Sequence, residues 1–271
     1  MTEIDTRRAC PFFPLVTAHA GSDGTAPNSI PSALSAVEKG ADFVEVDLRG
    51  TADGEVVLHH DAFLQTRPRG RVRISQVSAA ELTDWQRKGD ILLEHAEVRL
   101  TFFEDFLRVV QSAAAGLNLD VKDDRCIPGL VRGLKRCGMT DRAVITGCRR
   151  DRATRVKADY PFLQVLLNVD PFQGRVRRGG RSTSRYRIWY QGQITAAVQR
   201  GCCGLNMEYR WCTEELVVAA RRRFVPVSVW TVDSEEDLCA FAAIGVSNLT
   251  TNQVRRALRL KAASGRPSER R

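Results

Sequence analysis

Glu45 and Asp47 stand two residues apart in the run Asp42-Phe43-Val44-Glu45-Val46-Asp47-Leu48. A strand sends alternate side chains to opposite faces, so both carboxylates share one face and Val44 and Val46 share the other. Like charges packed together repel and resist ionising. Such a strand cannot bury that face in an ordinary apolar core. It either turns that face to solvent or ends where a cation sits between the acids, and oxygen donors alone suit a hard ion such as Mg²⁺ or Ca²⁺. A second segment repeats the pattern. In residues 117–122, Asn118, Asp120 and Lys122 alternate with Leu117, Leu119 and Val121. That places a third carboxylate and an ammonium on one polar face near the strand's C-terminal end.

The rest of the chain alternates in the same sense. Strand signals at 15–18, 42–48, 117–122, 143–148, 163–169, 204–208, 225–232 and 247–251 are interleaved with helix signals at 29–39, 78–87, 101–115, 151–159, 188–200, 213–223 and 234–244. Alternating β and α argues a parallel sheet with crossover helices. Polar faces gathered at strand C-terminal ends are what the mouth of a TIM (β/α)8 barrel requires. The chain has 271 residues, 43% of them apolar, and a single barrel domain of ~250 residues accounts for that length. The barrel core is expected over about 15–254, with a frayed polar tail at 261–271.

One strand signal exceeds the eight a barrel needs. Residues 56–58 are the natural extra, because Asp53-Gly54 marks a tight turn and the return strand runs antiparallel. This is a β-hairpin extension near the active-site mouth. If Asp53 and Gly54 are the two central turn residues, residue 52 faces 55, and counting outward sets His60 opposite Asp47 with His59 turned away. His19 follows the strand at 15–18 and brings a second imidazole. Imidazoles and carboxylates at converging strand ends suit metal-assisted acid–base chemistry. Beyond the hairpin, residues 67–73 read as a basic loop without a catalytic role. Ser78 and Glu81 then have capping-box spacing at the start of a helix.

Together these residues resemble the glycerophosphodiester phosphodiesterase family. His19-Ala20-Gly21, Pro27-Asn28-Ser29, residues 40–47, Asp53-Gly54 and His60-Asp61 follow its run H-R-G, P-E-N-T, G-A-D-x-[IV]-E-x-D, K-D-G and V-x-x-H-D. Asn118-Leu119-Asp120-Val121-Lys122 resembles its N-[IL]-E-[IL]-K. Val229-Trp230-Thr231-Val232-Asp233 resembles V-W-T-V-[ND], and residues 245–252 resemble the closing G-V-D-x-I-x-T-[DN]. The resemblance implies metal-dependent hydrolysis of a glycerophosphodiester to glycerol 3-phosphate and an alcohol. Glu45, Asp47 and Asp120 would hold one divalent cation, Mg²⁺ or Ca²⁺. His19 and His60 would exchange protons with the attacking glycerol 2-hydroxyl and the leaving alkoxide, by way of a cyclic phosphate. Asn28 would touch substrate or cap the helix that follows it.

Two residues enter as substrate-binding. Lys122 would hold the phosphate, and Trp230 would wall the pocket and stack on a cationic headgroup. The departure is Ala20, where the family carries an Arg whose forked donors suit a phosphate. Lys122 is expected to carry more of that binding, with Arg149 and Arg150 in reserve. The alternatives are phospholipase-D-like cleavage of lysophospholipids to a cyclic phosphate, or a barrel that binds a phosphodiester or protein partner without turnover.

Charge and cysteine content narrow the partners. The formal charge is +9, from 35 Arg and 6 Lys against 32 acids. The arginines are scattered except at 175–187 and 221–223, without the aromatic interleaving of a nucleic-acid face. The expectation is a small anionic substrate and no nucleic acid. No run of ~18 apolar residues spans a membrane, and no apolar leader follows the charged residues 1–8. Eight cysteines without a C-x-x-C pair point to free thiols in a reducing cytoplasm.

Overall fold

The computed structural model describes residues 13–67, 69–95, 97–174, 176 and 183–264. Strands β1 (Leu15–Ala18) and β2 (Phe43–Gly50) open the chain. An excursion follows, with β3 (Val56–Leu58), β4 (Phe63–Thr66), β5 (Gly70–Arg73), β6 (Ile91–Leu92) and β7 (Thr101–Phe102). The chain then returns through β8 (Gly116–Val121), β9 (Ala143–Cys148), β10 (Gln164–Asn168), β11 (Gly204–Glu208), β12 (Val227–Trp230) and β13 (Asn248–Thr251). Eight of these are parallel neighbours in the order β1-β13-β12-β11-β10-β9-β8-β2, and pairing of β1 with β2 closes the ring. The architecture is the expected TIM barrel.

The helices α1 (Ile30–Lys39), α2 (Ala79–Lys88), α3 (Phe103–Val110), α4 (Ile127–Arg136), α5 (Arg150–Asp159), α6 (Ser184–Gln199), α7 (Glu214–Arg221), α8 (Glu235–Ile244) and α9 (Val254–Ser264) complete the chain. All but α2, which belongs to the excursion, accompany the barrel. Strand pleat sorts the side chains. Val44, Val46, Leu117, Leu119 and Val121 point outward into the core between sheet and helices, where all are at most 3% exposed. Each such side chain stabilises the fold by about 1.5–3 kcal/mol. The opposite faces fill the barrel with hydrogen-bonded polar groups rather than apolar layers. Thr17 Oγ1 donates to Asn248 Oδ1 and Asn248 Nδ2 to Ser228 Oγ. Across the ring, Thr146 Oγ1 donates to Asn118 Oδ1 and Asn118 Nδ2 to Glu45 Oε2. Buried polar groups are tolerable when satisfied in this way.

The excursion departs from expectation. Residues 67–73 do not form a simple loop: β4 and β5 are an antiparallel pair that β6 extends to a three-stranded sheet. That sheet has its own small core of Val57, Leu64, Ile74, Leu82, Trp85 and Leu100. Ser78 caps α2 and forms the full capping box with Glu81. The helix expected over 101–115 is only Phe103–Val110, because Thr101 and Phe102 pair with β3. Helix α4 was not anticipated. The tail is ordered further than expected, since α9 runs to Ser264 and Lys261 donates to Asp42 Oδ1 at 2.7 Å. Cys10, Arg175, residues 177–182 and the tail from 265 lie outside the described residues. Among the described residues no helix is long and apolar enough to cross a membrane.

Candidate active site

The extra hairpin carries the main correction. Thr51 N–H donates to Glu55 O, Glu55 N–H donates to Thr51 Oγ1, and Gly54 adopts φ +82°. Three residues therefore turn the chain, not two, and a glycine meets the positive φ that such a loop demands. The register moves by one: Gly50 faces Val56 and Leu48 faces Leu58. His59, not His60, then lies opposite Asp47, and its N–H donates to Asp47 O at 2.9 Å. His59 does not turn away from the site. It is half-buried, its Nε2–H donates to Phe63 O at 3.2 Å, and it lines the same cavity as His60. Burial lowers its pKa below the usual histidine value.

Strands β2 and β8 run in register, with Glu45 beside Asn118 and Asp47 beside Asp120. This pairing gathers the three acids, so that one ligand oxygen from each of Glu45, Asp47 and Asp120 lies within 4.8 Å of the others. Glu45 is 8% exposed and Asp47 4%. Burial, together with the Asp120 and Asp47 charges, pushes the Glu45 carboxyl well above its usual range. Asn28, with φ +56°, donates from Nδ2 to Asp47 Oδ2 and accepts from Asp47 N–H, both at 2.8 Å. Its role is therefore to fix Asp47. The capping role belongs to Ser29, whose hydroxyl accepts from Ser32 N–H.

Lys122 Nζ lies 2.9 Å from Asp47 Oδ1 and 2.7 Å from Asp120 Oδ2. Burial pulls this ammonium towards neutrality, but the two acids outweigh it and its pKa is raised. One charge does not match three carboxylates. Asp120 Oδ1 is buried without a hydrogen-bond partner, a position that costs free energy unless a cation or proton serves it. Oxygen-only donors with a surplus of negative charge fit a hard divalent ion.

The rings of His19 and His60 are each fixed through Nδ1. Asn252 Nδ2 donates to Asp233 Oδ2, which leaves Asn252 Oδ1 to accept from His19 Nδ1–H at 2.8 Å. His19 Nε2 then lies 3.7 Å from Glu45 Oε1. His60 Nδ1–H donates to Asp61 Oδ1 at 2.8 Å, a bond that lowers the Asp61 pKa. Both rings therefore keep Nε2 available for proton exchange. A cavity of about 330 Å³ joins His19, Ala20, Asp47 and His60 to the excursion segment between Leu93 and Leu100. Trp230 stands at the end of β12, 36% exposed, so it is not a core residue, and it is not on the wall of this cavity. Arg150, one of the reserve cations, is committed to Asp170 at 2.9 Å.

Residues 19–256 match the model of the glycerophosphoryl diester phosphodiesterase family. The chain belongs to that family. It is accordingly a phosphoric diester hydrolase. A glycerophosphodiester phosphodiesterase of Caldanaerobacter subterraneus subsp. tengcongensis is 23% identical over 244 residues, covering 88% of this chain and 93% of the relative. A Galdieria sulphuraria structure assigned to the glycerophosphodiester phosphodiesterases superposes with TM-score 0.76 at 20% identity, over 93% of this chain and 98% of that one. An Oleispira antarctica phosphodiesterase, solved with its product sn-glycerol 3-phosphate, gives TM-score 0.71 at 21% identity over 93% and 98% of the two chains. These structures share the barrel. Within this fold, Asn28, expected to touch substrate or cap a helix, instead bonds Asp47, and Asp233 and Asn252, which sequence reasoning left without a role, hold the His19 ring. The family's closing motifs pointed at the last two, but only the fold brings them to His19.

Proposed function

We propose that this chain hydrolyses glycerophosphodiesters to glycerol 3-phosphate and an alcohol, with His19 and His60 as the proton-transfer pair. The observation that carries the reading is the buried acid trio beside two imidazoles that are both tied through Nδ1. Glu45, Asp47 and Asp120 would hold one divalent cation, Mg²⁺ or Ca²⁺. Such an ion supplies charge stabilisation at the phosphoryl oxygens. The protein's own residues do the rest. One Nε2 accepts the proton of the attacking hydroxyl, and the other imidazole, protonated, donates to the departing alkoxide. Asn252 and Asp61 hold the rings in the tautomers this requires. Asn28 keeps Asp47 in place, and Lys122 presents an ammonium at the edge of the acids, where a phosphate arrives. Trp230, exposed at the barrel mouth, offers a face to a cationic headgroup.

The substrate is a small molecule. Cys126, Cys137, Cys148, Cys202, Cys203 and Cys239 carry free thiols, which supports a reducing, cytoplasmic setting. We read the barrel as one domain. The test is a panel of glycerophosphodiesters assayed for glycerol 3-phosphate after EDTA treatment, then with Mg²⁺, Ca²⁺ or Mn²⁺ restored. Turnover that vanishes with EDTA and returns with one ion is expected. Undiminished turnover in EDTA would remove the metal from the reading.

A further inference from the structure

We propose that Arg99, carried by the excursion and not by the barrel, is a binding residue for the substrate's phosphate. The inference rests on the functional reading above and extends it to a residue outside the shared motifs.

The cavity that holds His19, Asp47 and His60 carries Asp61 and Glu94 on its wall as well, and the one Lys or Arg among its described lining residues is Arg99. An anionic phosphodiester entering beside three carboxylates needs a cation there. The methyl group of Ala20, on the same wall, supplies none. Lys122, Arg49 and Arg150 already hold partners, so each would have to share them to reach the phosphate. Lys122 bridges Asp47 and Asp120. Arg49 donates to His60 O from Nε at 2.9 Å and Nη2 at 2.7 Å, and pairs with Asp123. Arg150 pairs with Asp170. Arg99 is exposed, and no hydrogen bond or ion pair engages its guanidinium among the described residues. An unpaired guanidinium keeps its five donors for a ligand, and its fork matches two phosphate oxygens.

The topology gives Arg99 a fixed base. Strands β3 and β7 are antiparallel, with Leu58 facing Thr101. Carried two residues beyond the strand ends, that register would set His60 towards Arg99. Leu100, between Arg99 and β7, is 4% exposed and belongs to the excursion's own core. The backbone that presents Arg99 is thus anchored on its C-terminal side. The phosphate would be held next to the imidazole that exchanges its proton.

The experiment compares wild type, Arg99→Met and Arg99→Lys, using sn-glycerol 3-phosphate as the calorimetric probe and a glycerophosphodiester as substrate. Arg99→Met should raise both the Kd for glycerol 3-phosphate and KM by about tenfold or more, with kcat changed far less. Arg99→Lys should fall between, since a point charge keeps attraction but loses the fork. The melting temperature should not move, because the side chain is exposed and unpaired. Unchanged Kd and KM in Arg99→Met would overturn the proposal. If wild type binds glycerol 3-phosphate and hydrolyses no diester while Arg99→Met binds weakly, the activity reading fails and the Arg99 assignment stands. If wild type hydrolyses diesters and Arg99→Met is indistinguishable from it, the reverse holds.

Discussion

Asp120 is confined from behind as well as from the cavity. Gly147, at φ +73°, sits so close that a Cβ there would lie 2.4 Å from Asp120 Oδ1 and 2.3 Å from Val121 O. Gly147→Ala therefore has to move either the carboxylate or β9, on top of the strain of a positive φ. The expected outcome is a lower melting temperature, by at least the equivalent of ~1 kcal/mol, and a loss of turnover larger than that destabilisation explains. Glu45→Gln and Asp120→Asn separate charge from bulk. Both should abolish metal-dependent turnover while the circular dichroism spectrum stays that of wild type.

The histidines divide by environment. His60→Ala should cost about 10²–10⁴-fold in rate if the ring transfers a proton. His59 bonds to Phe63 O and backs Asp47 through its own N–H. His59→Ala keeps that backbone bond and loses only the ring's bond to Phe63 O, so it should lower activity through local displacement, by less than His60→Ala does. Burial depresses the His59 pKa, so the unfolded chain, titrating near the ordinary histidine value of about 6.5, binds more protons than the native one. Stability then falls as pH drops through the usual histidine range and levels off once the native ring is protonated as well. His59→Gln should flatten part of the difference between urea midpoints measured at pH values either side of that window. An unchanged slope would show that another group controls it.

At the scale of elements, the hairpin shows how one residue of loop length redirects chemistry. Asp53-Gly54 marked the turn correctly, but the hydroxyl of Thr51 accepts from Glu55 N–H and donates to Asp53 Oδ1 at 2.5 Å. That side-chain bonding stretches the turn to three residues. A slip of one exchanges which side chains share a face, which is why His59 replaced His60 opposite Asp47. Strand alternation fared better. Glu45, Asp47, Asn118 and Asp120 all face inward as the pleat required, and β2–β8 register is what sets the acids side by side. Asn28 offers an element-scale test. It joins the start of α1 to β2 through two hydrogen bonds at 2.8 Å. Asn28→Ala leaves Asp47 N–H and one Asp47 oxygen without those partners, at a cost of about 1–3 kcal/mol. Thermal unfolding and metal affinity should both decline.

Across the whole molecule, thiol chemistry reports how the barrel is closed. Cys126, Cys148 and Cys212 are fully buried, and burial raises the Cys148 pKa to about 12. A thiol reagent applied to the native protein at neutral pH should leave these three unmodified and react first at Cys137 or Cys239, which are partly exposed. Rapid labelling of Cys148 in the native state would contradict the closed ring between β8 and β9.

The sequence by itself determined the parts that depend on local periodicity. Alternation in residues 42–48 and 117–122 assigned inward and outward faces, β–α alternation implied the parallel ring, and three carboxylates on polar faces marked a candidate cation site. Capping at Ser78 was legible because a cap is a contact over three residues. Tertiary structure alone decided the rest, because it joins groups far apart in the chain. Asn252 and Asp233 reach His19 only when β13 closes against β1. Asn28 reaches Asp47 only when the loop before α1 folds over β2, through a positive φ that no periodicity signals. Arg99 meets the cavity only because β7 pairs back onto β3. Periodicity reports which face a residue occupies; contacts between distant segments are set by closure of the ring and by the register of pairing, which no single stretch of sequence contains.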